Sequence, residues 1–154
     1  MAIGSDTAIH FFGTQDTLDN TTSSVLDGAF SDGTNDLSAW TNDDDAPMAH
    51  AVFEGTFSVA PDAGSSVALY ARKIDIGNAG TEDEDAPDAN NTSSYVGSFG
   101  LNDVTSAQTK GILISLPNSK TSQIYNFYIQ NNAGQTLSAS WSLHITPVAI
   151  GPHA

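Results

Sequence analysis

Cysteine is absent from the 154 residues, and cations nearly so. Arg72, Lys73, Lys110 and Lys120 face 18 acidic residues, a formal charge of −14 at pH 7. Without thiols there are no disulfides, no thiolate catalysis and no cysteine-bound zinc or iron–sulfur centre. Without a cluster of Lys or Arg there is little to neutralise phosphates, so nucleic acid and anionic membrane surfaces are excluded as partners. No run of about 18 apolar residues occurs, so no membrane-spanning helix is expected. The opening MAIGSDTAIHFFG has neither a basic stretch nor an apolar core of signal-peptide length, so a protein made in the cytoplasm is expected. Charged residues make up only 14% of the chain, and no window carries a helical stripe or an internal repeat.

Ser, Thr, Asn, Gly and Ala fill the gap, and the apolar residues among them alternate. From Leu137 to Ile145, Leu137, Ala139, Trp141, Leu143 and Ile145 share one strand face, while Ser138, Ser140, Ser142 and His144 share the other. Gln123 to Gln130 repeats the pattern with Tyr125, Phe127 and Ile129. Asn131-Asn132-Ala133-Gly134 between them is turn chemistry, so the pair reads as a hairpin. Ala49, Ala51, Phe53, Gly55, Phe57 and Val59 form one face of a further strand. Pro61-Asp62-Ala63-Gly64 turns the chain into a returning strand, Val67 to Ile76. Lys110–Leu116, Tyr95–Leu101, Ala8–Phe12 and, more weakly, Leu37–Thr41 complete about eight strands. Residues 14–36 and 78–91 read as long loops. Tight turns mixed with long crossovers predict one all-β domain, an antiparallel β-sandwich of Greek-key or jelly-roll type.

No polar cluster carries a convincing chemistry. The acidic runs 42–45 and 82–88 have the oxygens for calcium but not the order of an EF-hand loop, so solvated loops are the preferred reading. His10, His50, His144 and His153 lack the spacing of a metal pair. Gly97-Ser98-Phe99-Gly100 lacks the spacing of a nucleophile elbow, and Glu54 has no assignable partner carboxylate. No catalytic residue, cofactor or metal is assigned, and the protein reads as a non-enzyme. Trp40, Trp141, Tyr95 and Tyr128 are the candidates for a sugar-stacking platform, with Trp141 read as core because it is in register with Leu143 and Ile145.

The ends of the chain are apolar. Residues 1–6 read as an N-terminal arm and 147–154 as an extended tail, since Pro147 and Pro152 resist helix and central-strand pairing. Such a segment either folds over its own domain or docks on a neighbour. Ala2, Ile3, Gly4, Pro147, Val148, Ile150 and Pro152 are the candidate partner contacts. Deleting residues 148–154 is expected to leave the sandwich folded and abolish docking.

Several stretches carry a resemblance: Ala8-Ile9-His10-Phe11-Phe12-Gly13-Thr14-Gln15, Leu101 to Gln108, Leu116 to Gln123, and Ile145-Thr146-Pro147 through Ala154. Together they resemble a family of small virion proteins of tailed double-stranded DNA bacteriophages, densest from about Phe99 onward. The resemblance implies a structural role on the capsid exterior, as a decoration or cement protein bound to the major capsid protein, with a homotrimer expected at a three-fold site. It brings no catalytic motif. The alternative is a receptor- or carbohydrate-binding module on a tail or fibre.

Overall fold

The computed structural model describes residues 8–19, 23–31, 37–76 and 82–152. Among them are nine strands and no helix: β1 (Ala8–Phe12), β2 (Asp16–Asp19), β3 (Trp40–Asn42), β4 (Met48–Gly55), β5 (Ser66–Ile74), β6 (Tyr95–Gly100), β7 (Gln108–Ser115), β8 (Gln123–Asn132) and β9 (Ser142–Pro152). They form two antiparallel sheets, ordered β1-β9-β4-β7, with β2 also on β9, and β3-β8-β5-β6. The pairs nest. β2 lies with β9, β3 with β8, β4 with β7 and β5 with β6, so the first half of the chain is matched in reverse order by the second. Pairings of β4 with β9 and β5 with β8 then join neighbouring pairs into the two sheets.

Alternation builds the core. Ala49, Ala51 and Phe53 of β4, Leu143 and Ile145 of β9, Val67 and Leu69 of β5, and Tyr125, Phe127 and Ile129 of β8 are all buried between the sheets. Phe53 and Phe99 meet from opposite sheets with ring centroids 5.6 Å apart. Trp40 packs on Tyr125 and Phe127 at 6.1 and 6.0 Å, and its Nε1–H donates to Asp16 Oδ2 at 2.7 Å. That bond ties β3 of one sheet to β2 of the other. Trp141 is buried, as its register predicts.

Three expectations need correction. The predicted hairpin between residues 123–130 and 137–145 is a crossover, because β8 and β9 belong to different sheets. Alternation tells which face a residue takes, not which strand it pairs with. The intervening segment is itself anchored: Ala133 and Leu137 are buried, Leu137 bridges to Val25 and Phe57, and Asn131 Nδ2 donates to the carbonyls of Val25 and Gln135. Gly134, at φ +72°, sits where a Cβ would strike the Asp62 carboxylate. The turn at residues 61–64 likewise carries the chain from β4 to β5 across the sandwich.

The second correction is within residues 14–36, where β2 occupies Asp16–Asp19 with Leu18 buried in the core. The third concerns Pro147. Residues 147–152 are not a separate tail but the second half of β9, and Pro147 pairs with Ala49 inside the sheet. The Pro147 carbonyl accepts from Gly13 N–H at 2.9 Å, so its ring nitrogen also faces the gap between β1 and β2. On that edge no ladder bond needs the missing donor, and proline is tolerated in an interior strand.

Candidate functional site

The register leaves part of one sheet overhanging. β4 accompanies β9 only as far as Met48 opposite Val148, whereas β1 accompanies it from Val148 to Pro152. Beyond Met48 the sheet is therefore a two-stranded ribbon of Ala8–Phe12 and Val148–Pro152. Adjacent residues on a strand point to opposite faces, so Phe11 and Phe12 cannot both be buried by one core. Neither is: they are 53% and 66% exposed, and Ile150 is 49% exposed. Phe12 shares its face with Val148 and Met48, and exposed Leu113 continues that face on β7, one row along, through Thr146 and His50. On the other face, Phe11 lies over Gly151, where a Cβ would come within 3.0 Å of the ring. Phe11, Gly13, Asp44, Ala46, Pro147 and Ala149 line an open cleft of about 280 Å³ there.

The ribbon is also uncharged. No Asp, Glu, Lys or Arg occurs from Ala8 to Gln15 or from Ile145 to Ala154, in a chain that carries 22 such residues (4 basic, 18 acidic). Of the predicted contacts, Ile150 is exposed on the ribbon and Pro147 lines the cleft. Val148 is fully buried, covered on the sheet's outer face, so it cannot itself touch a partner. Pro152 pairs with Ala8 at the ribbon's tip. Ala2, Ile3 and Gly4 lie outside the described residues. Phe11 and Phe12 are the residues the sequence reading left out. The Phe-Phe dipeptide in a strand was the available signal.

The remaining candidates separate cleanly. Trp40 and Tyr128 are buried, leaving Tyr95, 51% exposed, as the one aromatic of the four at the surface. Four carboxylates of the two acidic runs fix the chain locally. Asp45 accepts from Ser122 N–H, Asp83 from Asp75 N–H, Glu84 from Lys73 N–H and Asp88 from Asn90 and Asn91 N–H. Among the described residues no group of three or more His, Asp or Glu converges as a metal site would require. His144 contacts Thr17 Oγ1 through Nδ1 at 2.9 Å, while Ser142 Oγ and Glu54 Oε2 both approach its Nε2, at 3.3 and 3.6 Å. The Thr17 hydroxyl and the Glu54 carboxylate thus stand on opposite ring nitrogens, but at 3.6 Å Glu54 Oε2 is beyond hydrogen-bond distance and does not fix the ring as the carboxylate of a nucleophile–base–carboxylate relay does.

A polar network closes one end of the sandwich. Asn42 Nδ2 donates to Ala46 O and Asn118 Oδ1, and Tyr125 O–H donates to Asn118 Oδ1 at 2.9 Å. Burial, reinforced by the nearby Glu84 carboxylate, pushes the Tyr125 phenol well above its ordinary pKa. The network ties β3 and the turn that follows it to the segment after β7 and to β8, so it reads as fold-fixing. No family model and no curated protein matches the sequence.

Proposed function

We propose that the protein is a structural component of a tailed-phage virion, a decoration or cement protein that docks on the outer surface of the head through its β1–β9 ribbon. The observation that carries this reading is the exposed, uncharged apolar ribbon on a chain of charge −14. Elsewhere a close approach of two such chains meets like-charge repulsion, whereas the two ribbon strands carry no carboxylate of their own and only Asp44 borders them, at the cleft beside Phe11. Isolated exposed apolar residues are ordinary, but here Phe12 and Ile150 share one face of a two-stranded projection and Phe11 stands on the other, so the projection is apolar on both sides. The nested pairing supports the jelly-roll wiring expected from the sequence. An acidic exterior keeps neighbouring copies and released DNA apart. A homotrimer at local three-fold positions, contacting the major capsid protein, is the assembly we propose.

Truncation after Pro147 is no longer a clean test, since it strips β1 of the strand it pairs with. The test is the double substitution Phe11→Ser/Phe12→Ser, which changes exposed side chains and spares the ladder. The variant folds, and it fails to decorate heads that lack the wild-type protein. Full occupancy by the folded variant would overturn the assignment.

A further inference from the structure

The outermost strand of a sheet keeps one edge of unpaired N–H and C=O groups, and an unguarded edge is a template for another strand. Among the described residues the sandwich blocks its edges, with one exception. β3 is 3 residues long, and β6 meets β5 through a register shift at Leu69 and Tyr70. β7 carries Lys110 in register with the core residue Phe53, and β2 carries Asp16 and Asp19. Short strands, irregular register and edge charges all discourage pairing. β1 has an unbroken register with β9 and no Asp, Glu, Lys, Arg or Pro.

The ladder fixes which backbone groups of β1 lie open. Gly13 N–H donates to Pro147 O at 2.9 Å, and bonded pairs alternate with non-bonded ones along an antiparallel ladder. Phe11–Ala149 and Ile9–Gly151 are therefore bonded pairs, while Ala8, His10 and Phe12 aim their N–H and C=O away from β9. Pro152, which has no N–H, falls opposite Ala8 at a non-bonded pair, in agreement with this phase. No described residue bonds to these outward groups, and His10, Phe11 and Phe12 are exposed.

We infer that β1 pairs edge to edge with β1 of a second copy, antiparallel about a two-fold axis at His10. In that register His10 stands opposite its own counterpart and Ala8 opposite the second copy's Phe12, so every open donor meets an open acceptor. The missing charge selects this occupant. Two-fold symmetry sets each side chain near its own copy, so a charge on a self-pairing edge meets its like, whereas a different partner can answer charge with opposite charge. On a chain of −14 an acidic edge would suit a basic partner, and the uncharged edge suits the chain itself. Exposed carboxylates more than about 8 Å from the contact are screened at physiological salt. The pairing uses the ribbon's edge and leaves its faces free, so it stands apart from the head-docking reading. On a shell it would join copies of neighbouring trimers.

Because the chain has no cysteine, a single introduced thiol reports the contact directly. Opposed residues of a bonded pair have Cα atoms about 5.5 Å apart, within disulfide range. Under mild oxidation the full chain carrying His10→Cys is expected to form a disulfide-linked dimer about tenfold faster than Leu113→Cys, an exposed control on β7. Sedimentation of the unmodified protein shows a dimer that grows with protein concentration and with added salt. His10→Lys, an exposed change that opposes two cations at the axis, abolishes that dimer at unchanged melting temperature. Cross-linking through His10→Cys no faster than through Leu113→Cys, no dimer at any concentration, or a dimer that survives His10→Lys would overturn the inference. None of these outcomes bears on head docking, which the Phe11 and Phe12 substitutions test separately.

Discussion

The two open edges of this sandwich are built from the same backbone and present opposite chemistries. At the β1–β9 edge the strands overshoot their neighbours and show Phe11, Phe12 and Ile150 with no charged side chain on either strand. At the β6–β7 edge the Lys73–Glu84 ion pair borders a cleft. Apolar area without preset polar groups gains from flat, extended burial, which is what one protein surface offers another. The sandwich thus keeps uncharged apolar area at one edge and a paired charge at the other.

The sharpest way to break this contrast is to make the first edge polar. Phe11→Ser/Phe12→Ser should reduce head occupancy from near-complete to background in a binding assay, while the urea midpoint stays close to wild type because both rings are more than half exposed. Phe53→Ala at the inter-sheet contact should do the reverse. It costs about 3–5 kcal/mol in urea unfolding, read from the shifted midpoint, because it removes a fully buried ring facing Phe99. Trp40→Phe keeps most of the ring packing but loses the bond to Asp16, a charge-assisted contact worth about 1.5–3 kcal/mol by the same measurement.

The smallest effect concerns pH. Tyr125 has a raised pKa in the folded protein, so above about pH 10 the unfolded chain loses this proton while the folded one keeps it. Stability contributed by the protonated, buried phenol is fully present below that pH and falls as pH rises above it. Tyr125→Phe, although less stable at neutral pH through loss of the Asn118 bond, should show a shallower alkaline decline in thermal unfolding.

How much of this was readable beforehand differs by element. The inward residues of β4, β8 and β9 were legible because alternation with period two maps directly onto a face. The partners of those strands were not, since pairing in a nested arrangement is set by the whole chain and leaves no mark on a local window. β2 was missed because its core contribution, in four residues, is Leu18 alone between acidic and hydroxyl neighbours. Pro147 misled because the rule against proline in strands concerns an N–H that a neighbour needs, and here that edge faces the break between β1 and β2. For the ribbon, the apolar ends were visible, but which of their residues face outward depends on where β4 stops. Nothing in the sequence joins Lys73 and Glu84 to the cleft they border, which exists only after β6 of one sheet meets β7 of the other.

A side-chain-resolution reconstruction of the virion tests the central claim most directly. The account predicts several hundred copies on the head, each with Phe11, Phe12 and Ile150 buried against the major capsid protein. A few copies confined to the tail, or a shell-bound protein whose β1–β9 ribbon points into solvent, would contradict it.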